Sequence, residues 1–151
     1  MSERGVQLLE TANEQLSELS ALLSTMGEGA LSLRCAGREK LGDGSVAACA
    51  SHTADSYERI AGFVEGRTAG THVGDYGAEN VDREDLLKQL SGARHALSTL
   101  GDLTDEELDL VPRAGDMKFC DGKRTLEQVL RGLLNHQSHN VDVLRAAVSF
   151  D

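Results

Sequence analysis

The segment 135–140, N-H-Q-S-H-N, carries two of the five histidines of the chain. Apolar residues recur around it at helical spacing, so we predict a helix over 125–149. At ~100° per residue, His136 and Asn140 project together from the flank of the apolar stripe, one turn apart, whereas His139 points away from it. Two such side chains four residues apart can bind one face of a metal ion. A solvated or capping pair of histidines is the commoner meaning of this spacing.

The rest of the chain predicts three more long amphipathic helices, over 6–26, 45–65 and 82–100. A capping-box pattern at Thr104 predicts a short helix as far as Leu110, and another at Thr125 begins the last long helix. Asp121-Gly122 is typical of a hairpin turn, although a plain loop before the last helix fits equally well. Four amphipathic helices with long connectors predict an all-α four-helix bundle, a single domain over 1–151.

A third histidine lies on the second predicted helix. His52 flanks the apolar stripe of that helix, beside Cys49 and Ser56. From spacing alone, a histidine at such an edge more often bonds a neighbouring backbone group than a metal.

Together these segments resemble a known family. The run Leu133–Leu144 resembles the fourth helix of the DinB-like four-helix-bundle family, which carries the pattern N-H-Q-[ST]-H-H-x-x-x-L. In that family the first and third histidines of the pattern bind a divalent metal, together with a histidine of the second helix. Those positions fall on His136, on Asn140 and, because the segment around it resembles the family's second helix, on His52. This sequence departs from the pattern at Asn140, so His139 replaces it as third ligand only if the helix is rotated or distorted.

The resemblance implies a function as well as a site. Some members are thiol transferases, isomerases or hydrolases that use a low-molecular-weight thiol, and members commonly form dimers. It therefore implies zinc or nickel as cofactor, a small-molecule substrate or thiol, and a homodimer, for which apolar residues beside the main stripe such as Leu8 and Leu22 provide a surface. An amide is a weaker ligand than imidazole, and the metal site is then loosely occupied or empty. The alternative is a non-catalytic ligand-binding or stress-response dimer with a degenerate site, since no general base or nucleophile is identifiable.

Composition excludes several other classes. With 25 acidic and 15 basic residues the net charge is -10, which repels nucleic acid and anionic lipid, so we expect neither as a partner. Three cysteines without a C-x-x-C pattern indicate reduced thiols. No apolar stretch approaches the ~20 residues of a membrane span, and the first residues lack a signal-peptide pattern, so we expect a cytoplasmic protein.

Overall fold

The computed structural model describes residues 2–35, 37, 44–65 and 83–148. Four long helices dominate these ranges: α1 (Glu3–Thr25), α2 (Val46–Val64), α3 (Arg83–Leu97) and, after the short α4 (Asp105–Leu108), α5 (Leu126–Val148). Two 3-10 turns follow α1 and α3, at Glu28–Ser32 and Ser98–Asp102. The described ranges contain no β-strand, only an isolated bridge between Arg34 and Ser45. The all-α four-helix bundle predicted from the sequence is confirmed.

The two capping boxes in the sequence correctly mark the residues at which α4 and α5 begin. The Thr104 hydroxyl accepts a hydrogen bond from the backbone N–H of Glu107, and the Glu107 carboxylate accepts one from the N–H of Thr104, both at 3.1 Å. Thr125 and Gln128 make the same reciprocal pair at 3.3 and 2.9 Å. These bonds satisfy N–H groups that a helix leaves unpaired in its first turn. Both predicted starts are confirmed, whereas the segment before α5 forms turns rather than a hairpin.

Contacts between side chains fix the direction of α1 relative to its neighbours. Arg4 binds Glu127 near the start of α5, and Glu18 binds Arg145 near its end, so α1 and α5 are parallel. Arg94 of α3 donates to Ser17, and Arg83, at the other end of α3, donates to the carbonyl of Met26. The chain positions therefore run in opposite order along α1 and α3, which are antiparallel.

The same argument orients α2. Tyr57 is joined through Gln15 to the carbonyl of Leu134, whereas Thr53 is joined to Gln137. A step backwards along α2 is thus a step forwards along α5, so the two are antiparallel. α1 and α2 each pack against both α3 and α5, which leaves α1 facing α2 across the diagonal of the bundle.

One surface expectation from the sequence is wrong. Leu8 is only 2% exposed and belongs to the core, and Leu22 is half-buried against it. The apolar face of α1 is wider than a single stripe because α3 and α5 cover it from two sides. Leu8 therefore offers no dimer surface. Within the described ranges, none of the helices combines the length and apolar character that crossing a membrane requires.

The end of the bundle is closed by a contact that only glycine permits. A Cβ built on Gly5 would lie 2.8 Å from the carbonyl oxygen of Leu100 and 3.0 Å from that of Leu103. We expect Gly5→Ala to lower the free energy of unfolding by roughly 1–3 kcal/mol, because α1 must move away from this backbone. Urea denaturation measures it. Gly92→Ala, at an exposed α3 position with nothing within 4 Å, is the matched control and should stabilise by ~0.5–1 kcal/mol. Equal effects of the two substitutions would contradict the contact.

Candidate functional site

The candidate site lies where α2 faces α5. His52 is half-buried on α2, His136 is half-buried on α5, and Asn140 is 1% exposed one turn beyond His136. His139 is exposed. Around α5, the residues that contact α1 lie on one flank, at Glu127 and Arg145. His136 and Asn140 lie on the other flank, the side of α2.

A buried hydrogen bond joins α2 to α5 at the level of the candidate site along the bundle axis. The Gln137 side-chain nitrogen Nε2 donates to the backbone carbonyl of Thr53 at 2.8 Å. Because α2 and α5 are antiparallel and each residue advances ~1.5 Å, the backbone of His52 is then at about the height of Ser138. That height is midway between His136 and Asn140.

The same glutamine orients the amide of Asn140. Since Gln137 Nε2 donates to a carbonyl, its oxygen Oε1 is an acceptor, and the Asn140 nitrogen Nδ2 donates to it at 3.0 Å. This hydrogen bond uses the nitrogen of the Asn140 amide and not its oxygen Oδ1, which is the only atom of this side chain that binds metals. If Asn140 binds a metal, it therefore does so through Oδ1, while its nitrogen stays bonded to Gln137.

The chemistry of the donors fits a metal as well, though not tightly. Two imidazoles suit zinc or nickel, whereas an amide oxygen is a weaker ligand for either. In the described part of the chain, no group of three or more His, Cys, Asp or Glu side chains is arranged to hold a metal. The set of His52, His136 and Asn140 contains only two residues of those four types, so that finding does not bear on it.

Asp55 is the acidic side chain of α2 nearest to His52, since it is half-buried and lies three residues later, ~60° around the helix. The pKa of Glu58 is raised by burial and by the nearby charge of Asp55. Six residues separate Glu58 from His52, which puts it ~120° away around α2. Glu58 therefore has no access to a group bound between His52 and His136.

A second set of buried polar groups lies next to the candidate site, about one turn away along the bundle axis. The Tyr57 hydroxyl donates to the Gln15 oxygen at 2.7 Å, and the Gln15 nitrogen donates to the carbonyl of Leu134 at 3.0 Å. Burial raises the pKa of Tyr57, so its hydroxyl keeps the proton that it donates. These bonds tie α2 to α1 and α1 to α5 one turn below the candidate ligands.

Sequence reasoning did not assign a role to either glutamine. Gln15 and Gln137 are 9% and 1% exposed. Gln15 looks like part of the polar face of α1, and Gln137 looks like a spacer between two histidines. The available signal was a polar residue at an apolar position of the helical repeat, as Gln137 is four residues from both Leu133 and Val141.

The three cysteines take no part in a disulfide. Cys35, Cys49 and Cys120 are all buried as thiols. Burial is also the main cause that raises the pKa of the Cys120 thiol. A thiol with a raised pKa is a poor nucleophile at neutral pH, so Cys120 is a packing residue.

Comparison with known proteins agrees with this architecture. The family model described as the DinB superfamily matches residues 9–144, which include all four long helices in large part and both halves of the candidate site. No curated protein and no solved structure shows significant similarity to the chain. A match over this much of the sequence, on a bundle of four helices, decides the family. The chain belongs to the DinB superfamily.

Proposed function

We propose that this protein binds a divalent metal, zinc or nickel, through His52, His136 and Asn140. One observation carries the proposal: the chain of buried hydrogen bonds from Asn140 to Gln137 to the backbone of Thr53. These hydrogen bonds join α2 to α5 beside both histidines. They also hold the amide nitrogen of Asn140, so that only its oxygen would serve as a metal ligand. Partners that orient a ligand in this way are typical of metal sites.

The chemistry that follows is transfer or hydrolysis on a small molecule. A divalent metal with three protein ligands keeps a position for an exogenous group and lowers the pKa of a bound thiol or water. The protein's own part is to hold the metal through the two half-buried histidines and to shield one side with the apolar core. A low-molecular-weight thiol suits this site as the attacking group, because a thiol bound to a divalent metal loses its proton without a separate base.

A second function is favoured by the burial of Asn140. At 1% exposure and with its nitrogen already bonded, this side chain serves the packing of α2 against α5 whether or not a metal is present. A site that has lost its third histidine in this way fits a ligand-binding or stress-response protein, paired as a dimer, that captures a molecule without turnover.

Substitution of Asn140 tests the proposal. Titration calorimetry of untagged protein with zinc and with nickel should show binding by the wild type, and Asn140→His should tighten it by ~10–100-fold because imidazole is the better donor. Ser24→His adds one exposed imidazole on α1 and should change nothing. Wild-type protein that binds neither metal would contradict the proposal and would favour the second function.

A further inference from the structure

The flank of α2 that carries His52 continues to an arginine. Arg59 is seven residues after His52, which is ~20° around the helix and ~10 Å along it. It is half-buried, as are His52 and Ser56 on the same flank. By the antiparallel register, Arg59 lies at about the height of Gly132 on α5, one turn from His136.

The polar atoms of Arg59 are incompletely satisfied. Its Nε is fully buried and has no hydrogen-bond partner. No ion pair among the described residues includes Arg59, although Asp55 is one turn earlier on the same helix. A buried guanidinium N–H without an acceptor is costly, and in native proteins it usually indicates a missing anion or water.

Two cationic side chains lie near the neighbouring flank of α5, in the segment that precedes this helix. The ring of Phe119 lies against Gly132, where a Cβ would be 3.3 Å from the ring. Lys118 and Arg124 flank that ring, with their charged groups 5.4 and 5.9 Å from its centroid. Gly132 is ~40° from His136 around α5, on the same side of the helix. Arg124 also forms an ion pair with Asp121 at 3.9 Å, so the charge beside this ring is mixed.

From these observations we propose that Arg59 binds a carboxylate of the small molecule that reaches the metal site. This inference rests on the proposed function, because it adds the second point of attachment of the same substrate. A guanidinium presents two parallel N–H groups to the two oxygens of an oxyanion. A singly charged carboxylate suits the site better than a phosphate dianion, since Asp55 and the acidic surface oppose a second negative charge. The substrate class is therefore an acid whose reactive group lies roughly 5 Å from its carboxylate, about one helical turn.

The first experiment uses metal-free protein and 3-mercaptopropionate as the probe. The side-chain ¹⁵Nε–H resonance of Arg59, identified by its loss in Arg59→Lys, should shift and saturate with this carboxylate. It should not shift with 2-mercaptoethanol, which has the thiol and no carboxylate. Inorganic phosphate is the comparison oxyanion. No shift with 3-mercaptopropionate, or a tighter response to phosphate, would overturn the assignment.

The second experiment uses cobalt-loaded protein, in which thiol binding is read from visible absorption. Wild-type protein should bind 3-mercaptopropionate about tenfold more tightly than 2-mercaptoethanol. Arg59→Gln should reduce that ratio to about one with unchanged cobalt affinity. Arg94→Gln, the same change on exposed α3, should keep the ratio. If Arg59→Gln leaves this ratio intact, the inference is overturned. If wild-type protein fails to bind cobalt, the proposed metal site is overturned instead, and the role of Arg59 is then decided by the first experiment, which uses no metal.

Discussion

Alanine in place of His52 or His136 should weaken zinc or nickel binding at least ~100-fold, while alanine in place of His139 should leave it almost unchanged. Each of the first two substitutions removes one of only two imidazole donors and leaves a site with a single strong ligand. The third removes an exposed imidazole on the far side of α5. Titration calorimetry of the three variants, with circular dichroism to verify folding, measures the difference.

This comparison also tests the helical register of the site. If His139→Ala loses the metal and Asn140→His gains no affinity, then α5 is rotated in the metal-bound protein and His139 is the third ligand. If both His52→Ala and His136→Ala keep the metal, the candidate site is not where the metal binds. The three histidines lie on the same two helices, so general loss of stability affects all three variants in a comparable way and is recognised by the dichroism.

The second large effect should come from the core, where Gln15→Leu leaves the Tyr57 hydroxyl without its acceptor. We expect a loss of ~2–4 kcal/mol in unfolding free energy, from the stranded buried hydroxyl and the two lost hydrogen bonds. Tyr57→Phe should cost less, since it leaves only an amide oxygen unpaired. In the double variant both partners are absent, so the loss should be smaller than the sum of the two single losses. Urea denaturation of the four proteins gives this coupling energy.

Alkaline titration provides an independent check on the same pair. Burial raises the pKa of Tyr57 in the folded protein, so its contribution to stability is complete below the pKa of an unfolded tyrosine, ~10, and is lost as pH rises above it. Tyr57→Phe should therefore reduce the decline of stability above pH ~10. An unchanged alkaline decline, together with additive effects in the cycle, would mean that the hydrogen bond between Tyr57 and Gln15 adds nothing to stability.

The sequence by itself determined the helices and where several of them start. Apolar spacing is a local property of a 3.6-residue repeat, and a capping box is a contact over three residues, so Thr104 and Thr125 identify helix starts without any tertiary information. The spacing of His136 and Asn140 on one flank is likewise set by the helix alone. For these reasons the four long helices and the short α4 were predictable.

Tertiary structure decided which polar residues are inside. Gln15 and Gln137 are buried because α1, α2 and α5 supply their hydrogen-bond partners, and those partners are 42 to 119 positions away in the chain. Leu8 became core for the same reason, since two neighbouring helices cover α1. The orientation of Asn140 and the position of Arg59 relative to His136 depend on the antiparallel register of α2 and α5. Contacts between distant segments set that register, and no local pattern encodes it.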